Sequence, residues 1–364
     1  MVVGHNRAVA AHINLEHISH NIQLIKENYL TTQQFFAVVK ADAYGHGAIA
    51  VSKHIEAQVD GFCVALFDEA LELRQSGIAK PILVLGHVDR HVIQACIEND
   101  ISITFSDIEF LKTVYALNVK GQLKVHVAVN TGMNRIGVDT IEQLQSIEQY
   151  LQERQEQFLF EGIFTHFATA DGEDDNKVNK QYELFDRFVS SLNVKPRFVH
   201  LANSAMTLWR GHFPSDIMRV GIAMYGLNPS DFVLDMPLPL KPAFTLTAQI
   251  VHVHELKKGE SVSYGAKYIA KANEIVATLP IGYADGWRRA YGQVGVYLNG
   301  QKCDVLGVIC MDQMMIRVPK GTQVGDVVEL IGTHQTASDV AVSVGTIGYE
   351  VLCGISNRVV RQYD

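Results

Sequence analysis

Short apolar runs alternate with amphipathic stretches through the first two thirds of the chain. The runs are FFAVV at 35, FCVAL at 62, PILVLG at 81, ISITF at 101, LKVHVAVN at 123, FEGIFTHFA at 160, FVHLAN at 198 and MRVGIAM at 218. Continuous apolar runs of this length suit strands buried on both faces, as in a parallel sheet. Between them lie helical patterns: DEALELRQSG, HVIQACIEND, DIEFLKTVYAL, TIEQLQSIEQYLQER, NKQYELFDRFVSSL and SAMTLWRGH. Most open near an acidic or capping residue, and two close on Gly77 or Asn99, as βα units do. Eight such units predict a TIM-type (β/α)8 barrel, whose functional groups sit at the carboxyl ends of the strands. Ahead of it, Val9 to Leu15 reads as a strand, and LEHISHNIQLIKENY as a helix with Ile18, Ile22 and Ile25 on one face.

The pattern changes near Asp231. FVLDMPLPLKPAF carries Pro237, Pro239 and Pro242, a composition typical of a domain boundary. Beyond it the apolar period is two: FTLTAQIVHVHEL, EIVATLPIGY, GVYLNGQKCDVLGVI, MMIRV and DVVELIG read as antiparallel strands, with turns at Lys258-Gly259 and Asn299-Gly300. One helix, SDVAVSVGTIGYEVLCGIS, is predicted near the end. The division expected is therefore residues 1–10 as a strand joining the carboxyl-terminal unit, 11–235 as the α/β barrel, and 236–364 as a mostly β domain.

Composition narrows the function. The hydrophobic fraction of 48% and charged fraction of 19% describe a globular chain. A net charge of −8, with lysines and arginines scattered, argues against a nucleic-acid or membrane-surface partner. No apolar stretch is long enough for a membrane span, and the start MVVGHNRAVAAH lacks a secretory layout, so a cytoplasmic protein is expected. The cysteines at 63, 96, 303, 310 and 353 have no paired spacing and are expected to be reduced. His252-x-His254 and His87-x3-His91 have spacings that could bind a metal but lack further ligands, so no metal is expected.

The chemistry concentrates in FFAVVKADAYGHG. Lys40 ends an apolar run, so it emerges beside an apolar wall, where desolvation lowers an ammonium pKa as a Schiff-base lysine requires. A snorkelling strand-end lysine fits the same pattern. On the barrel scheme Lys40 ends strand one, Asn130 strand five, His166 strand six, and Asn203 with Ser204 strand seven. Arg219, Gly221 and Ile222 belong to strand eight, so all of these converge on one face. Taken singly, Ser204 also reads as an N-cap and Tyr44, Tyr264 and Tyr349 as edge aromatics.

The stretch closely resembles the VVKANAYGHG-like motif of bacterial alanine racemases, fold type III enzymes in which this lysine carries pyridoxal 5'-phosphate. Further family-like segments follow in order: THFATAD, HLANSA, MRVGIAMYG, VSYG, CMDQ and TIGYEVLC. The resemblance implies a phosphate cradle of Tyr44, Asn203, Ser204, Gly221, Ile222 and Tyr349, and Arg219 at the pyridine nitrogen. Arginine does not give up its proton there, which suits racemisation better than transamination. Racemisation needs an acid/base group on each face of the substrate. The family uses Lys40 for one and Tyr264 for the other, acidified through His166 and Arg219. Tyr264 and Lys40 then meet across a head-to-tail homodimer. Arg135 and the Met311 backbone would bind the substrate carboxylate; Cys310 and Asp312 would line the entrance.

The implied product is D-alanine for peptidoglycan. A broad-specificity or serine racemase, or a non-catalytic pyridoxal-phosphate-binding protein, are the alternatives. One departure stands out: many family members read KVDTGMGR, with a carbamylated lysine, where this chain reads AVNTGMNR. Ala128 cannot be carbamylated. A small anion such as chloride is expected near Asn130 and Arg135, with water or another carboxylate as the other way to hold Arg135.

Overall fold

The computed structural model describes residues 2–211 and 213–364. Met1, and His212 at the end of the last predicted barrel helix, lie outside the described residues. The first strand, β1 (Val9–Ile13), leads through the N-cap Asn14 into a helix at Leu15–Tyr29, where Ile18, Ile22 and Ile25 are all buried. Asn14 accepts from the His17 amide, satisfying an N-terminal donor that would otherwise lack a partner.

Parallel strands follow: β2 (Gln34–Val38), β3 (Gly61–Val64), β4 (Ile82–Val84), β5 (Ile101–Phe105), β6 (Leu123–Ala128), β7 (Phe158–Phe164), β8 (Phe198–His200), β9 (Ala202–Asn203) and β10 (Ile217–Val220). They form one sheet in the order β8-β7-β6-β5-β4-β3-β2-β10-β9. The seventh predicted strand is interrupted at Leu201. Its first half pairs with β7 and its second half with β10, so the sheet closes on itself. Nine strand segments thus make the predicted eight-unit barrel, and the fold class expected from the alternation is the one observed.

Lys40 lies just past the strand it was expected to end. After Val38 the chain winds into a tight turn, and Ala41, Asp42, Ala43 and Tyr44 all adopt left-handed backbone angles, with φ of 53–54°. Each costs an L-residue about 1–2 kcal/mol. Local bonds hold the turn in place: Ala43 N donates to Val39 O, Ala41 N to Glu69 Oε1 at 2.6 Å, and the Asp42 carboxylate accepts from Ala48 N at 2.7 Å.

In the carboxyl-terminal unit β11 (Phe244–Gln249) and β12 (His252–Leu256) correct the reading of FTLTAQIVHVHEL as one strand. The chain breaks at Ile250-Val251 and enters two sheets. β11 pairs with β1 and with Val327–Ile331, and β12 with Glu274–Leu279. The Asn299-Gly300 turn joins Val296–Leu298 to Gln301–Cys303, both turn residues having positive φ as such hairpins demand. The predicted last helix is two, Ala337–Ser343 and Gly348–Gly354, parted at Gly345 with φ +73°. The final strand, Val360–Tyr363, runs parallel to β1, so both chain ends lie in one sheet. No helix among the described residues is long and apolar enough to cross a membrane.

Candidate active site

A cavity of about 520 Å³ opens at the carboxyl ends of the barrel strands. Lys40, Tyr44, Arg135 and His166 line it, as do Asn203, Ser204, Arg219, Gly221, Ile222 and Tyr349. Ten residues picked from the sequence therefore share one hollow. Tyr264 and Met311 do not: they lie on a separate, open surface hollow with Ser263, Cys310 and Asp312. Both are exposed, Tyr264 to 75% and Met311 to 53%.

Electrostatics at the cavity favour neutral nitrogen. Burial, aided by Arg135, pulls the Lys40 ammonium below its ordinary pKa. Burial and the guanidinium of Arg219 hold His166 down to about 3, so its imidazole is neutral. Arg219 is fully enclosed on β10, and burial lowers it to about 10, which leaves it charged at neutral pH. Its Nη1 faces His200 Nδ1 at 2.5 Å and its Nη2 donates to Thr165 O at 2.9 Å. Across the ladder Arg219 pairs with Phe36 and Asn203, a register that carries it inside the barrel.

One wall is shaped for a group that needs backbone close by. Asn203, not Ser204, caps the helix Ser204–Trp209 by accepting from Met206 N. Ser204 Oγ is thereby free to accept from Gly221 N at 2.9 Å. A Cβ at Gly221 would fall 2.4 Å from the Tyr44 hydroxyl, so only glycine keeps that corner open. The Tyr44 ring packs between those of Tyr225 and Tyr349, and Tyr225 anchors itself on Val38 O. The hydroxyls of Tyr44, Ser204 and Tyr349 thus line the same cavity as a desolvated lysine and a buried arginine, a donor set that fits pyridoxal phosphate.

The chain matches the family model of the alanine racemase N-terminal domain over residues 13–229 and that of the C-terminal domain over 243–363. The chain belongs to the alanine racemase family. It is 45% identical to the alanine racemase of Streptococcus uberis over 368 residues, the full length of both chains. It resembles the solved alanine racemase from E. faecalis with a TM-score of 0.97 at 42% identity over all of both chains. A solved histidine racemase from Leuconostoc mesenteroides subsp. sake is also similar, with a TM-score of 0.93 at 33% identity, covering 100% of this chain and 99% of that one. Alanine racemases depend on pyridoxal phosphate, which agrees with the donor set at the cavity.

Two findings lie outside what the sequence suggested. Asn130 is not an open ligand: its amide donates to Asn134 and Asp139, while its oxygen accepts from the Gly132 and Asn134 amides. Beneath the cavity, a file of buried polar side chains, Arg219, His200, His126 and Glu161, crosses the barrel interior. Its sequence signal is a histidine or glutamate inside an otherwise apolar strand, as in LKVHVAVN, FEGIF and FVHLAN. Among the described residues no cluster of His, Cys, Asp or Glu could hold a metal.

Proposed function

We propose that this chain interconverts L-alanine and D-alanine in the cytoplasm, with pyridoxal phosphate at the barrel mouth, to supply D-alanine for peptidoglycan. In this reading residues 11–235 carry the cofactor. Residues 236–364, joined by the strand expected within 1–10 and found at Val9–Ile13, reach over the neighbouring subunit's site. Lys40 would hold the cofactor, Tyr44, Asn203, Ser204, Gly221, Ile222 and Tyr349 its phosphate, and Arg219 its ring nitrogen beside His166. Bound there, pyridoxal phosphate supplies the electron sink that acidifies the substrate Cα–H. Lys40, with its lowered pKa, exchanges a proton on one face of that carbon. Arg219 presents a donor without surrendering its proton. Arg135 and the Met311 backbone N–H receive the substrate carboxylate.

The observation that carries this reading is the separation of Lys40 from Tyr264. A racemase needs an acid/base group on each face, and in one chain Tyr264 projects into solvent away from the Lys40 cavity. A head-to-tail homodimer supplies the second face by inserting the partner's Tyr264 and Met311. The test is incubation of the holoenzyme with L-alanine in D2O, following α-deuteration and D-alanine by chiral chromatography. Both should appear together. Bound cofactor with no exchange at Cα would overturn the assignment.

A broader substrate range has one specific support. Ala128, 2% exposed, borders the cavity where many relatives carry a lysine, and the leftover volume admits larger side chains. A panel including serine and histidine decides between the two readings. We place a chloride in the same region, near Asn130 and Arg135. Arg135 makes no ion pair among the described residues, and the spent donors of Asn130 leave Arg135 as the group that holds the anion. A bromide-grown crystal should show an anomalous peak against Arg135; a featureless map there would remove the anion.

A further inference from the structure

Four side chains contributed by four different strands form one continuous file through the barrel. His200 Nδ1 lies 2.5 Å from Arg219 Nη1, His200 Nε2 lies 2.9 Å from His126 Nδ1, and His126 Nε2 lies 3.1 Å from Glu161 Oε2. Ser102 Oγ donates to the same carboxylate oxygen at 2.5 Å. The members are almost wholly enclosed, with exposures of 3% for Arg219, 0% for His200, 2% for His126 and 8% for Glu161. The file is built rather than incidental: a Cβ at Gly162 would fall 2.3 Å from His126 Nδ1, so the adjacent strand needs glycine to admit the ring.

Donor and acceptor rules fix every proton in it. A guanidinium has donors only, so the His200 Nδ1 that faces it carries no hydrogen. A neutral imidazole must then carry its proton on Nε2, which points at His126 Nδ1. That nitrogen has to accept, which puts the His126 proton on Nε2, facing Glu161. A carboxylate accepts only, so the far end agrees with the near end. Burial and the neighbouring guanidinium hold His200 well below its ordinary pKa, consistent with a neutral ring. Hydrogen bonds from His126 and Ser102 overcome the burial of Glu161 and keep it ionised.

We propose that Glu161 is a positioning residue: by fixing the tautomers of His126 and His200 it holds a bare ring nitrogen against Arg219, and so keeps the guanidinium aimed at the barrel-mouth cavity. Glu161 itself borders a second cavity of about 290 Å³, with Lys80, Lys124 and Arg197, at the opposite end of the barrel. The carboxylate that closes the file therefore sits two imidazoles away from Arg219, and among the described residues no carboxylate is hydrogen-bonded to the guanidinium itself. The tautomer pattern stands on this chain's geometry alone; the consequence for turnover rests on the function proposed above.

Neutron diffraction from the perdeuterated holoenzyme reads the pattern directly. Deuterons are expected on Nε2 of both histidines and on neither Nδ1. A deuteron on His200 Nδ1 would overturn the proposal whatever the enzyme's activity. Two variants follow the same readout. Glu161→Gln keeps an acceptor for His126 and Ser102 Oγ when its amide oxygen takes the place of Oε2, and should preserve both tautomers. Glu161→Leu offers none and should displace the deuteron on His126 or His200. In the leucine variant the cofactor's visible absorbance should acquire a new pH dependence. Its kcat should fall about ten-fold with KM within about two-fold, and the glutamine variant should recover most of that loss. Unchanged tautomers in Glu161→Leu would also sink the proposal. Native tautomers as expected in a protein with no racemase activity would refute the proposed function and leave the relay standing.

Discussion

Subunits carrying Lys40→Ala, mixed with subunits carrying Tyr264→Phe, should regain activity that neither has alone. In a head-to-tail dimer each site takes its lysine from one chain and its tyrosine from the other. A mixed dimer then has one site with both substitutions and one with neither. Random exchange of equal amounts makes about half the dimers mixed, so recovery should approach about one quarter of native turnover. The geometry makes the design clean. Tyr264 is 75% exposed and lines a hollow apart from Lys40, so removing its hydroxyl should cost no more than about 0.5 kcal/mol of fold stability. Lys40→Ala should lose the visible absorbance of lysine-bound cofactor, whereas Tyr264→Phe should keep it. The assay is D-alanine formation after mild denaturant-assisted exchange, with exchange verified by native mass spectrometry of differently tagged chains. If exchanged dimers show no recovery, Tyr264 acts within its own chain and the shared site is wrong.

Acid should destabilise the cofactor-free protein below about pH 6.5, the histidine value expected once the chain unfolds. His46 is wholly buried, its burial lowering it to about 4, and His166 is lowered to about 3. A folded pKa below the unfolded one means the unfolded chain binds the proton first. Stability from these rings is therefore complete above 6.5 and lost as pH falls towards 4 and 3. Each contributes a slope of about 1.4 kcal/mol per pH unit in that window, and urea midpoints at pH 7 and pH 5 that coincide would contradict it. Gly221→Ala should raise the dissociation constant for pyridoxal phosphate by about ten-fold or more, because its methyl would meet the Tyr44 hydroxyl at 2.4 Å. Fluorescence titration of the cofactor-free variant checks this, and native affinity would show that the corner is not the phosphate cradle.

Local order was readable from the sequence, and relations between distant strands were not. The helix Leu15–Tyr29 was legible because Ile18, Ile22 and Ile25 mark its buried face and its N-cap Asn14 stands directly before it. The barrel was legible because each βα unit repeats one local pattern. Ala41 to Tyr44 gave no sign of their left-handed winding: the run contains no glycine, and the Glu69 carboxylate that holds the Ala41 amide lies 28 positions away. The split of FTLTAQIVHVHEL was hidden for a related reason. Period two records which way side chains face, not which sheet accepts them. His126 and His200, 74 positions apart, meet only because the barrel closes. Tyr264 was marked by its motif alone, since within one chain it is exposed and lies in a hollow apart from Lys40.

The left-handed turn after Lys40 is latched from the far end of the chain. Arg361 Nε donates to Gly45 O, while its other nitrogens grip the carbonyls of Ile355, Ser356 and Val359. The Tyr363 hydroxyl and the Leu352 carbonyl press so closely on Gly47 and Gly45 that neither position has room for a Cβ. During synthesis, then, the segment that carries Lys40 precedes by 316 positions the arginine that latches it. A product truncated before Arg361 lacks this latch on the lysine loop.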